Sequence, residues 1–116
     1  MTKFLGKIKN VRFGHVGYQN SMLGLDFDFT FNECCGVGAD DCFWDAGLIE
    51  CSNNAKWSED DRDVAYAKIM RKISKYLFQA KVEQVKDLIG VPVELTFKGG
   101  GWGGTLESWR ILTEVL

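Results

Sequence analysis

The stretch Met22–Phe31, MLGLDFDFTF, is the clearest β-strand pattern in the chain, and it indicates that the fold contains a sheet. Large apolar residues alternate in it with small or charged ones, and successive side chains of a strand point to opposite faces. Asp26 and Asp28 share one face. The other face carries five apolar side chains: Leu23, Leu25, Phe27, Phe29 and Phe31. The stretch therefore predicts a sheet strand with one buried face and one wet face.

The preceding segment, KFLGKIKNVRF over residues 3–13, also has strand character. Its apolar phase slips by one residue at Lys9–Asn10, so either both faces are partly buried or a β-bulge lies there. Antiparallel pairing of the two segments would bring Lys7 and Lys9 within reach of Asp26 and Asp28 on the wet face. The alternative function of the two carboxylates is a divalent metal site or acid–base chemistry, as in a small metal-dependent enzyme.

A helix follows in the middle of the chain. Ser58 is a good N-cap, and acidic residues 59–61 fill the first turn, where carboxylates favour the helix dipole. Apolar residues then recur at helical spacing and predict one buried stripe: Tyr66, Ile69, Met70, Ile73, Leu77 and Ala80. Basic residues are predicted on the opposite side: Lys68, Arg71, Lys72 and Lys75. This basic stripe is either a solvated face or a contact for nucleic acid or a nucleotide.

The remaining segments complete the predicted order β-β-(β)-α-α-β-β. We expect residues 32–41 to be irregular, a short strand within CFWDAGLIEC (42–51), and a second helical segment within KVEQVKDLIG (81–90) that ends at Gly90. Val93–Phe97 and Leu106–Leu116 predict a late hairpin. Strands on both sides of a central helical block indicate a single α+β domain over residues 1–116, with an antiparallel sheet packed against the helical segment.

Two loops are candidate contact surfaces. KGGGWGGT, Lys98–Thr105, is not a phosphate-binding loop, because a strand follows it and its lysine precedes the glycines. It predicts a hairpin tip that either presents Trp102 to a partner or folds it over the sheet edge. In the first loop, GHVGYQNS (14–21), we predict partner-binding residues: His15, Tyr18, Gln19 and Asn20. Catalysis by His15 would need an orienting partner and a nucleophile, which the sequence does not place.

The four cysteines lie within 18 residues, spaced CC-x6-C-x8-C: Cys34, Cys35, Cys42 and Cys51. Zinc knuckles usually carry cysteine pairs two to four residues apart, and no such pair occurs. Buried or half-buried thiols are the favoured interpretation. A structural zinc, or a disulfide between Cys34 and Cys51 or between Cys35 and Cys42, is the alternative.

Composition limits the function classes. A formal charge of −2 gives no bulk attraction to nucleic acid, so such binding would need a local patch. No secretion signal and no membrane span are evident, and we expect a soluble protein with no cofactor.

The opening FLGKIKNVRFGHVGYQNSMLGL, the helix SEDDRDVAYAKIMRKISKYL and the ending ESWRILTEVL together resemble short uncharacterised proteins encoded by bacteriophages and prophages. The resemblance covers most of the chain. It implies an accessory protein in the cytoplasm of a bacterial host that binds a host or defence-system protein without catalysis. Inhibition of a defence system, anti-CRISPR or other, is the most specific expectation. Homo-oligomer formation stays open.

Overall fold

The computed structural model describes residues 2–33, 35–44, 59–99 and 104–116. Within these ranges, five antiparallel strands form one sheet in the order β3-β2-β1-β4-β5, and one α-helix packs on it. The α+β prediction is therefore confirmed. The elements are β1 (Thr2–Val16), β2 (Met22–Phe31), β3 (Cys35–Trp44), α1 (Glu59–Ala80), β4 (Pro92–Lys98) and β5 (Thr105–Ile111), with 3-10 turns at Tyr18–Asn20, Val85–Leu88 and Thr113–Val115.

The alternation of β2 sets the core, as predicted. Phe29 is fully buried beneath α1, and Leu25, Phe27 and Phe31 are also buried. The helix-facing side of the sheet continues into β4 through three further buried residues: Val93, Leu95 and Phe97. One side of the sheet is thus dry, which is what a period of two over a half-buried strand requires.

The predicted slip in β1 is a β-bulge. The register with β2 shifts between Ile8 and Asn10, which leaves Lys9 as the extra residue. The expected contacts are therefore confirmed only in part: Lys9, in the bulge, lies beside Asp28 and lines a shallow pocket with it, whereas Lys7 is opposite neither carboxylate. Lys7 lies opposite Thr30, Asn10 opposite Asp28 and Arg12 opposite Asp26.

The amphipathic pattern of α1 is confirmed with two corrections. Ile69 and Ala80 are buried, whereas Met70 is 59% exposed and does not belong to the buried stripe. Tyr76 takes its place: its ring lies 5.5 Å from that of Phe27 and 5.0 Å from that of Trp109. The predicted N-cap Ser58 falls outside the described residues.

The predicted second helical segment, within residues 81–90, is a single 3-10 turn and not a second α-helix. Helix α1 ends in a Schellman arrangement, in which Lys81 takes a left-handed φ of 58°. The N–H of Val82 then donates to the carbonyl of Leu77, and that of Lys81 to the carbonyl of Phe78. Only the 3-10 turn Val85–Leu88 follows, because Leu88 is buried in the core and anchors the chain on the way to β4.

Two strand boundaries also differ from the prediction. Strand β3 begins at Cys35, inside the stretch expected to be irregular, because the whole of β3 pairs with β2 in an unbroken register. Strand β5 ends at Ile111 and gives way to a 3-10 turn, although Leu106–Leu116 reads as one strand. The late hairpin is confirmed by the antiparallel pairing of β4 with β5.

Candidate protein-contact surface

The connection between β1 and β2 is a short turn held by its own hydrogen bonds. The N–H of Asn20 donates to the carbonyl of Gly17 over 3.1 Å. The N–H and the hydroxyl of Ser21 both donate to the carbonyl of Tyr18, over 3.1 and 2.6 Å. These bonds fix the backbone that carries Tyr18, although the turn projects into solvent.

The turn also stores backbone strain. Gln19 and Asn20 have φ values of 52° and 55°, a left-handed conformation that asparagine adopts readily and glutamine rarely, so the strain lies at Gln19. Gly17 enters the turn with φ of 75°. Such strain persists only where surrounding bonds hold it, and it clusters at binding sites. Sequence reasoning placed a loop here, but it did not predict two consecutive left-handed residues.

The side chains around this turn are exposed. Tyr18 is 70% exposed and Phe13 is 47% exposed, and His15, Gln19 and Asn20 are exposed as well. We call these five residues the tip surface. The structure therefore brings the predicted contact residues of the first loop to one end of the sheet and adds Phe13 to them. Trp102, the other predicted contact residue, lies outside the described residues.

The basic stripe of α1 is only partly realised. Lys68, Arg71 and Lys75 are exposed on the outer face. Lys72 faces the sheet and forms an ion pair with Asp41 of β3, so the prediction that it joins the outer stripe is wrong. The outer face instead presents Phe78, 85% exposed, which sequence reasoning missed. Its position three residues after Lys75 and seven after Arg71 was the available signal.

The two carboxylates of the wet face do not form a metal site with their described neighbours. Asp26 accepts a hydrogen bond from Arg12 over 2.5 Å. This bond and the attraction to Asp26 raise the pKa of the Arg12 guanidinium. Within residues 2–33, 35–44, 59–99 and 104–116, no group of three or more histidine, cysteine or acidic residues could hold a metal ion. The pair Arg12–Asp26 is a cross-strand ion pair of the exposed face.

Two of the cysteines are half-buried, as favoured from the sequence. Cys35 packs against the core, and the Cys42 thiol lies 3.8 Å from the Met22 sulfur. Burial, together with nearby Asp40 and Asp26, raises the pKa of the Cys42 thiol, so this residue is not poised as a nucleophile. The proposed Cys35–Cys42 disulfide is wrong, because the two lie near opposite ends of β3 and on opposite faces. Cys34 and Cys51 lie outside the described residues.

An open groove of about 540 Å³ lies at the far end of the sheet from the tip surface. Leu5, Pro92 and Val115 are among its lining residues, and Leu5 is 70% exposed. Four polar side chains also line it: Lys7, Thr30, Asn32 and Glu33.

Comparison of the chain with protein-family models, with curated proteins and with solved structures finds no match. Across the part of the chain that the structure describes, no helix combines the length and the apolar character that crossing a bilayer takes.

Proposed function

We propose that this chain acts by stoichiometric binding of another protein through the tip surface. The observation that supports this is Tyr18, an exposed aromatic side chain held on a turn with a fixed backbone. An aromatic residue on a rigid mount supplies a large contact area and loses little conformational freedom on binding. The strain at Gln19 is accounted for if the turn is shaped for a partner.

A protein partner suits this surface better than a small ligand or a reaction. The tip surface is convex and carries one histidine with no described nucleophile or carboxylate bonded to it, so a catalytic assembly is not supported. The resemblance to phage-encoded proteins supplies the setting. In its most specific form, the proposal is a phage or prophage accessory protein, active in the bacterial cytoplasm, that inhibits a host defence system.

The test is a binding measurement with matched variants. The chain, tagged at its amino end, is purified from phage-infected bacteria and then titrated against any defence complex that co-purifies. We expect Tyr18→Ala to weaken the complex by about tenfold or more, because truncation of a central aromatic contact costs roughly 2 kcal/mol. Protection of phage plating in a host that carries this defence system should fall in parallel.

Leu5→Ala is the control, because Leu5 is 70% exposed, as Tyr18 is, and lies at the far end of the sheet from the tip surface. This change should leave both binding and plating unaltered. If the Tyr18→Ala protein binds as tightly as the unchanged protein, the tip surface is not the binding site. If the chain forms no complex in any infected host, the proposal is wrong.

A second candidate function is supported by the outer face of α1. Arg71, Lys75 and Phe78 lie on one side of the helix, and an exposed aromatic beside basic groups is the arrangement on which single-stranded bases stack. The chain would then be a nucleic-acid or nucleotide-binding accessory protein. The contact would rest on Lys68, Arg71 and Lys75, since Lys72 is engaged by Asp41.

This candidate predicts salt-sensitive binding of a short single-stranded oligonucleotide. Phe78→Ala should reduce the affinity roughly tenfold, and Lys75→Glu should both weaken binding and lower its dependence on salt concentration. Fluorescence anisotropy at several salt concentrations measures both effects. Lys86→Glu, a charge change in the 3-10 turn after α1, is the control. Equal loss with Lys86→Glu would mean that only overall charge matters.

A further inference from the structure

Strand β1 is longer than the strand beside it. Strand β4 pairs with β1 only from Thr2 to Lys7, and Gly90 and Val91 then bond to Ile8 through the backbone. Beyond this point β1 continues to Val16 and is paired with β2 on its other side. Among the described residues, no strand pairs with this edge of β1 after Ile8. We call residues 10–16 the open edge.

The open edge presents an ordered row of backbone groups. The N–H and carbonyl of Ile8 point towards β4. Because successive residues of a strand direct these groups to opposite sides, those of Lys7 point towards β2, where they meet those of Thr30. Every second residue of β2 directs its backbone N–H and carbonyl towards β1. Those of Asp26 and Gly24 therefore also point towards β1, where these residues lie opposite Arg12 and Gly14. The groups of Val11, Phe13 and His15 therefore point outward. Among the described residues, these three have no backbone partner outside the β1–β2 ladder.

The geometry points to a second copy of this chain as the occupant, and we propose that two copies join their open edges into one continuous sheet around a two-fold axis at Phe13. Residues 10–16 have Phe13 at their midpoint, and Gly90 and Val91 close one end of the row. Only a register centred on Phe13 uses the whole row in both copies. In that register Phe13 faces Phe13 of the second copy, and Val11 faces His15.

This register satisfies the hydrogen-bonding pattern. Each residue whose backbone groups point outward lies opposite another such residue of the second copy. The three pairs are Val11 with His15, Phe13 with Phe13 and His15 with Val11. Each pair exchanges two bonds, so about six N–H···O bonds form in all. An antiparallel pair around a two-fold axis is the self-complementary contact that a symmetric dimer requires. The joined sheet would also remove an unpaired edge, which proteins otherwise have to protect.

The side chains along the open edge are compatible with this pairing. On the helix-facing side, Phe13 is 47% exposed in the single chain and would stack against its own copy. On the other face, Arg12 would lie opposite Gly14, and Asn10 opposite Val16, which is already buried in the single chain. No like charges face each other directly, and the glycine leaves room for the guanidinium. Phe13 and His15 belong both to the tip surface and to the open edge, whereas Tyr18 lies in the turn beyond the paired strand. Tyr18→Ala therefore tests the protein partner without touching the paired row.

Amide hydrogen exchange measured by NMR at low and at high protein concentration tests the proposal. Light scattering should show the mass doubling as concentration rises from about 1 to about 100 μM. Over the same range, the amides of Val11, Phe13 and His15 should become protected. The amides of Arg12 and Gly14 are the internal control, because they bond to β2 and should be protected throughout.

Two variants separate the backbone from the side chain. Phe13→Pro removes the outward N–H at the axis but no bond of the β1–β2 ladder, and it should leave the chain monomeric. Phe13→Thr keeps the N–H and should still dimerise, about tenfold more weakly. The exchange of Arg12 reports whether each variant is folded. A monomer at all concentrations, a dimer that survives Phe13→Pro with Arg12 still protected, or protection that develops in β3 or β5 instead would each overturn the proposal.

Discussion

Replacement of Phe29 by alanine is expected to lower the free energy of unfolding by about 3–5 kcal/mol. The side chain is 0% exposed and lies at the centre of the aromatic core, with its ring 4.9 Å from that of Trp109 and 6.0 Å from that of Phe27. Truncation removes the transfer energy of the ring and leaves a cavity that a sheet with α1 packed on it cannot fully close.

Thermal and urea unfolding measure the effect. The melting temperature of Phe29→Ala should fall by roughly 10–20 °C. Phe13→Ala, measured at about 1 μM where the chain is monomeric, is the matched control, since it removes the same side chain from the same face of the sheet at a site that is 47% exposed. Its loss should be clearly smaller, because much of that ring is already in water. A similar loss at both positions would contradict the burial pattern on which the assignment of the core depends.

Gly24→Ala is expected to cost about 3 kcal/mol or more, although it adds a single methyl group. Gly24 has φ of 159°, and a Cβ atom on it would lie 2.5 Å from the Cα of Cys42 and closer still to the carbonyl oxygen of Asp41. Both obstacles are backbone atoms of β3, so no side-chain rotation relieves the contact. Strand β3 would have to move away from β2 at this point.

Gly36→Ala gives the control for this prediction. Gly36 lies in β3 on the same wet face, and the nearest atom to a Cβ placed there is 3.6 Å away, an ordinary contact. Alanine at this site should be neutral or stabilise the protein by up to about 1 kcal/mol, because it reduces the freedom of the unfolded chain. The difference between the two alanine variants in urea unfolding is the decisive quantity, and equal stabilities would refute the close approach of β3 to Gly24.

The local patterns that sequence reasoning handled well share one property. Each is decided by residues that are close along the chain. The alternation of Met22–Phe31 predicts a half-buried strand, and the structure buries its apolar face. The slip at Lys9–Asn10 marks the bulge for the same reason, since a shift of phase within one strand is visible in that strand alone.

The errors concern partners that are distant along the chain. Lys72 sits among basic residues and reads as part of an outer stripe, but the rotation of α1 on the sheet turns it towards Asp41. Arg12 rather than Lys7 or Lys9 meets Asp26, because the bulge moves every later residue of β1 by one position relative to β2. Neither contact can be predicted from a short segment of the sequence.

The candidate site was likewise predictable from the sequence only in its local features. The turn chemistry of GHVGYQNS was sufficient to predict a polar loop with an exposed tyrosine. Its rigidity depends on the hydrogen bonds of Ser21 and Asn20, which only the folded geometry defines. The open edge of β1 was not visible from the sequence at all, because it exists only through the difference in length between β1 and its neighbour β4.

The sequence by itself determined that this chain forms an α+β domain with a dry sheet face, since periodicity two and periodicity 3.6 are local consequences of backbone geometry. The charges that pair, the start of β3 and the open strand edge follow only from the folded arrangement. These features depend on how segments far apart in the chain align against each other. That alignment is fixed by the combined packing of the core around Phe29, and no single segment carries it.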